Sequence, residues 1–305
     1  MMPSNNKGEL PRTVGGQAVI EGVMMKAVNT VVAVKKPDGS IAIKRMPDKS
    51  WGVIEKIPLI RGFFVLIHSM IVGMNALSYS AKVSGDEKEE FTTKDMVFAF
   101  LFAILIAVLG FGVLPVIITK PLNIKSEFWF AFVEGIIRAV FVIVYIWGIS
   151  HLKDIKRVFQ YHGAEHKSVY TYEKKEELTS ANAKKYTTLH PRCGTSFLII
   201  TVFASIIVFA ISGALGMNSM WEKVIARIIL LPLVAGVAYE FQRLTAKIID
   251  NPLGRILSYP GMSLQKITTV EPDEEQLKIG LLSLKYALKE DFEGEVTVSL
   301  SEEVK

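Results

Sequence analysis

The chain has 305 residues, half of them apolar, and a mean hydropathy of +0.34, a balance that excludes an ordinary soluble domain and points to a membrane protein. Lysine and arginine number 35 against 30 aspartate and glutamate. That small surplus, spread over the whole length, calls for no nucleic-acid partner. A single cysteine, Cys193, excludes an internal disulfide framework and a multi-cysteine zinc ribbon.

The first 25 residues lack a continuous apolar core behind a basic start, so no cleavable signal peptide is expected. In the N-terminal segment, residues 1–56, the string GGQAVIEGVMMK (residues 15–26) predicts paired glycines for a turn or a close backbone approach, followed by a buried strand. Residues 30–36 and 40–46 alternate apolar with polar around Pro37, Asp38 and Gly39, the signature of a β-hairpin.

Crossing a hydrocarbon layer of roughly 30 Å takes about 20 helical residues. Four runs qualify: 96–119, 128–150, 196–217 and 224–241. A fifth, 57–81, is ambiguous, because it opens on Pro58, carries Arg61 and His68, and is diluted by small polar residues. Lysine and arginine near membrane ends stay cytoplasmic. Residues 1–94 hold 13 of them, 151–195 hold 9 and 242–305 hold 8, whereas 120–127 hold 2 and 218–223 hold 1. Four spans with both termini cytoplasmic satisfy every segment, and 57–81 is then a re-entrant or interfacial helix. The expected class is a mainly α, polytopic membrane protein, its four-helix domain (96–250) carrying a cytoplasmic connection at 151–195. Within the spans, Glu134 and Arg138 are four apart and are expected to pair, with Arg227 and Glu240 at another face and depth; no continuous proton relay is expected. In the C-terminal segment, 251–305, Pro272 and the acidic run 273–275 open an amphipathic helix with Leu277, Leu281, Leu284 and Leu288 on one face. The last dozen residues are expected to be disordered.

Four of the five histidines lie between His151 and His190. His162 and His166, in HGAEH, fall on one helical face about a turn apart, close enough to hold one cation. With Glu165 they spell H-x-x-E-H, the order of inverted zinc peptidases, in which the glutamate is the base for the attacking water. His190 and Cys193, in HPRC, add an imidazole and a thiolate, both suited to zinc. Three protein ligands plus water would make a catalytic site and four a structural one; spacing does not decide between them. Glu240 is an alternative ligand, or the partner of a nearby cation. Cys193 also admits a nucleophile, an anion cradle with Arg192, or a half-buried residue beside a Thr195 or Ser196 helix cap, the last ranking above the nucleophile.

Through HGAEHK, LHPRCGTSF, GGQAVIEGVMM and PGMSLQKITTVEP, the chain resembles the YqhQ-like family of bacterial membrane proteins over nearly its whole length. Members are described as predicted metal-dependent enzymes of unknown reaction. The resemblance implies a prokaryotic cell-membrane location and a metal at His162, His166, His190 and Cys193, and it supplies no substrate. The function expected is a metal-dependent hydrolase, zinc by its ligand chemistry, with Glu165 as general base; the alternative is a membrane scaffold or regulatory adaptor with a structural metal site.

Overall fold

The computed structural model describes residues 14–48, 52, 54, 57–85, 93–214 and 219–300. Among them the chain is mostly helical, with a small antiparallel sheet. The strands are β1 (Gly15–Val19), β2 (Gly22–Lys26), β3 (Thr30–Lys35), β4 (Ile41–Arg45) and β5 (Glu295–Val298), ordered β1-β2-β3-β4-β5. The β3–β4 hairpin turns where its sequence predicts. Gly39 takes φ +83°, a value glycine adopts without steric cost, and the Asp38 carboxylate accepts from the Ser40 amide at 2.8 Å and hydroxyl at 2.6 Å.

β5 corrects the expectation of a disordered tail. Residues 295–298 pair with β4 in register from Ile41↔Val298 to Lys44↔Glu295, and residues 301–305 lie outside the described residues. The sheet therefore joins the two ends of the chain.

One face of the sheet is covered by helix α1 (Ile60–Ser84), whose Val72 and Ala76 bury against Val19, Met24, Val32 and Val34. The other is covered by α5 (Lys153–Glu173) and α11 (Glu274–Leu288), whose Tyr161, Val169, Ile279, Leu282 and Leu284 join Val23, Met25, Val31, Ile41 and Ile43. Helix α11 begins where Pro272 and the acidic run predict, with Asp273 as its cap in a reciprocal capping box: the Gln276 amide donates to Asp273 at 2.8 Å and the Gln276 side chain accepts from the Asp273 amide at 2.9 Å.

Among the described residues, four helices are long and apolar enough to cross a membrane: α1, the stretch Val97–Leu122, α4 (Glu127–Ile149) and α7 (Gly194–Ala214, apolar over Gly194–Ile211). The apolar stretch at 224–241 is not one straight rod. It divides into α8 (Met220–Ile229) and α9 (Leu231–Lys247), which meet at 51°, where Pro232 lacks the amide a continuous helix would require. The stretch Val97–Leu122 carries a π-helical turn at Val108–Val113. The carbonyl of Phe111 in that turn accepts from Arg138 Nε at 2.8 Å.

Glu134 and Arg138 pair as their spacing predicts, but they are not alone. Arg227 reaches the same carboxylate, with Nε 3.1 Å from Glu134 Oε1, so it does share their depth and face. Arg138 also donates to Ser205 at 2.6 Å. All three charged side chains are buried. Each arginine further lies over the Phe209 ring.

Candidate metal centre

Helix α5 carries His162, Glu165 and His166 on one face. Gly163, a weak helix former, is there because a second segment crosses the helix at that point: a Cβ on Gly163 would collide with the Val270 carbonyl, and the Val270 amide donates to the Phe159 carbonyl at 2.9 Å. This close approach brings the end of α10 (Pro252–Thr268) to the site. The Thr268 carbonyl then lies 2.9 Å from His162 Nδ1, and the Thr188 carbonyl takes His166 Nδ1 in the same way. Both contacts fix the Nδ1–H tautomer and leave each Nε2 with a free lone pair.

Those two lone pairs converge with the sulfur of Cys193. His162 Nε2 is 3.1 Å from Cys193 Sγ, and ligand atoms of His162, His166 and Cys193 all lie within 4.8 Å of one another. Among the described residues, the buried His166 Nε2 has no hydrogen-bond partner. A buried, unsatisfied lone pair costs about 1–3 kcal/mol, and a cation at this point would remove the cost. The sulfur is held at the start of α7, where the Thr195 amide donates to it at 3.4 Å and the Thr195 hydroxyl lies 3.1 Å away. Two imidazoles, each donating to a backbone carbonyl, and one thiol, accepting from the Thr195 amide, match the donor set that suits zinc.

Glu165 Oε2 sits 3.8 Å from His162 Nε2 and 3.9 Å from His166 Nε2. Burial pushes its carboxyl above the usual carboxylate range, against the opposing effects of His162, His190 and a hydrogen bond from the Gly16 amide. That amide comes from β1. A Cβ on Gly16 would stand 2.6 Å from the Met24 carbonyl and 2.8 Å from Glu165 Cγ, so only glycine lets the strand lie against this carboxylate.

Two residues singled out in the sequence are turned elsewhere. His190 Nδ1 accepts from the Arg192 amide at 3.3 Å, and its Nε2 faces Glu173 at 3.4 Å. Its ring lies beside that of His166, with centroids 5.6 Å apart, but both nitrogens are engaged. Burial lowers the pKa of His190 to about 4 and lowers that of His166 as well. Glu240 lies apart from the cluster, where both its oxygens take the Arg61 guanidinium at 2.6 and 2.5 Å.

Further residues give the site its shape. Gln265, fully buried, donates to the His190 carbonyl and to Ser196 and accepts from the His190 amide, each at 2.7 Å. Gln242 donates to the Cys193 carbonyl at 2.8 Å. Together they pin the HPRC loop between α9, α10 and α7. Glu21, in the β1–β2 turn, takes Arg157 through both oxygens and fastens the hairpin to α5. The strings GGQAVIEGVMM and PGMSLQKITTVEP are thus the two walls of the histidine site, a role no local pattern in them reveals.

These are the features of a helical protein with a His–His–Cys cluster under a small sheet, and the comparisons agree on its family. Residues 57–290 match the family model described as "Protein of unknown function (DUF1385)". The chain belongs to that family. It is also 32% identical over 309 residues to the protein of Bacillus subtilis (strain 168) named "Uncharacterized protein YqhQ", covering 93% of this chain and 95% of that one. No solved structure matches.

Proposed function

We propose that the chain is a zinc-dependent hydrolase of the prokaryotic cell membrane, with its site at the cytoplasmic surface of the bilayer. The observation that carries this reading is the unsatisfied, buried Nε2 of His166, directed at the same point as His162 Nε2 and Cys193 Sγ, with the Glu165 carboxylate beside it. Three protein ligands leave a fourth position for water or substrate. The engagement of His190 with Glu173 and Arg192 supports three ligands over four.

Zinc bound there would polarise a carbonyl and acidify a water molecule. Glu165 takes the proton from the attacking water and passes it to the leaving group, a task suited to a carboxylate whose pKa is raised by burial. His162 and His166 are held in the ligating tautomer by the Thr268 and Thr188 carbonyls. Amide, peptide and ester bonds are the substrates such chemistry serves.

The sheet supports the topology read from lysine and arginine. Because β5 pairs with β4 and α5 packs on the same sheet, strands β1–β5 and the 151–195 connection share one side of any membrane. The chain must then cross an even number of times between β4 and α5, and again between α5 and β5. The stretch Val97–Leu122 with α4, and α7 with the bent α8–α9 pair, supply those crossings. Helix α1, whose Val72 and Ala76 bury against the sheet, is left as the re-entrant or interfacial element despite its length.

The rival, a scaffold or adaptor with a closed structural site, draws on the nearness of Glu165 to both imidazoles, where it would be a fourth ligand. One substitution separates the two. Glu165→Gln keeps the shape and removes the base, so the hydrolase reading expects unchanged metal content and no complementation of a deletion strain. Full complementation by Glu165→Gln, with His162→Ala losing metal and fold together, would make the site structural.

A further inference from the structure

The register of the β1–β2 hairpin determines which way the edge strand faces. Val19 and Gly22 are paired across a two-residue turn, so they exchange backbone hydrogen bonds, as do Gln17 with Met24 and Gly15 with Lys26. Gly16 and Ala18 fall on the alternate pairs and turn their amides and carbonyls away from β2. β1 is also the terminal strand of the sheet. The outward amide of Gly16 meets Glu165. The outward groups of Ala18 and the Gly16 carbonyl have no hydrogen-bond partner among the described residues. Gly15, Gly16 and Gln17 are exposed.

This open edge does not face bulk solvent on all sides. Helix α1 packs on one face of the sheet and α5 on the other, so a strand added beyond β1 would continue the sheet between the sides these two helices occupy. On the α1 side lies a groove of about 260 Å³ lined by Gln17 with Leu66, Ser69, Met70, Met74 and Leu77. Its lining is almost wholly apolar. On the α5 side stand Glu165 and the His–His–Cys cluster.

We infer that the substrate is an extended, apolar polypeptide segment, which adds to β1 as a further strand and so lies across Glu165 and the proposed metal position. This rests on the hydrolase reading above and names its substrate class. The amide and carbonyl of Ala18 and the Gly16 carbonyl match the alternating donors and acceptors of an extended backbone, which a lipid ester does not present. The groove beside Ser69 and Met70 takes the side chains on one face of that strand. The reaction consumes one water: its oxygen joins the scissile carbonyl carbon, the C–N bond breaks, and the proton taken by Glu165 goes to the departing nitrogen, leaving a carboxylate and an amine.

The test uses the zinc-supplied, detergent-purified full chain and a mixture of amine-blocked peptides prepared from bacterial membrane proteins, with newly exposed amines labelled and sequenced by mass spectrometry. Wild type is expected to create new amino termini within apolar stretches, and Glu165→Gln none. Two variants away from the ligands probe the edge and the groove. Ala18→Pro removes the outward edge amide without breaking a β1–β2 bond, and Ser69→Trp fills the groove from α1. Each is expected to reduce cleavage by about tenfold or more with wild-type zinc content and elution profile. Undiminished cleavage by whichever of the two folds overturns the edge-strand mode. A zinc-loaded wild type that needs Glu165 for complementation yet releases no peptide amines, including one that hydrolyses lipid vesicles instead, overturns the peptide inference and leaves the hydrolase reading standing. A wild type that binds no zinc overturns both.

Discussion

Gly16→Ala is the smallest perturbation that separates the site's geometry from its ligands. The added methyl would stand 2.6 Å from the Met24 carbonyl, 2.8 Å from Glu165 Cγ and 2.9 Å from Met25 Sδ. The methionine side chain can turn aside, but the Met24 carbonyl belongs to the neighbouring strand and is fixed by the hairpin register. Relief must come from β1 moving off β2 or from Glu165 moving off β1. Overpacking of this kind costs about 1–3 kcal/mol. If the carboxylate moves, the hydrogen bond from the Gly16 amide is lost, a further cost of about 1.5–3 kcal/mol for a bond to a charged acceptor. None of the three proposed ligands is touched. The expected result is wild-type zinc content, a denaturation midpoint lowered by an amount corresponding to about 2–4 kcal/mol, and complementation reduced to the level of Glu165→Gln. Measured side by side, unchanged stability together with full complementation by Gly16→Ala would refute the claim that β1 positions the base.

Two further outcomes follow from buried charge. Glu134 is the shared counter-charge of Arg138 and Arg227 in an apolar region, so Glu134→Gln leaves two guanidinium groups without it and is expected to cost about 3–5 kcal/mol; a detergent melting curve unchanged from wild type would contradict the pairing. In metal-free protein, His190 and His166 are held neutral by burial. Above the unfolded histidine pKa of about 6.5 neither state binds the proton, and no penalty arises. As pH falls from there to about 4, the unfolded chain gains protons that the folded one refuses, and stability drops by about 1.4 kcal/mol per pH unit for His190, with His166 acting in the same direction. Equilibrium denaturation across that window checks it, and His190→Gln is expected to flatten the slope.

How much of this was legible in the sequence depended on whether the cause was local. The hairpin at 30–45 could be read because Pro37-Asp38-Gly39 is turn chemistry between alternating strands, and α11 because Pro272, the acidic run 273–275 and leucines at helical spacing mark its start and its buried face. His162 and His166 could be paired because a helix puts residues four apart on one face. What set the ligand geometry was not local. His190 is turned by Glu173 and the Arg192 amide, Glu240 is taken by Arg61, and Arg227 reaches Glu134 from another helix. Gly16 meets Glu165 across most of the N-terminal half of the chain, and no periodicity encodes that encounter. The strand at 295–298 was hidden for a simpler reason: it lies near a terminus and gains its order only by pairing with β4.

The central claim is a metal held by His162, His166 and Cys193 with one position left for water or substrate. Zinc K-edge absorption on the detergent-purified protein tests it most directly. The account predicts one zinc per chain, with one sulfur at about 2.3 Å, two nitrogens at about 2.0–2.1 Å and a lighter fourth donor that exchanges, the sulfur vanishing in Cys193→Ser. A protein without stoichiometric metal, or a first shell lacking sulfur, would contradict it.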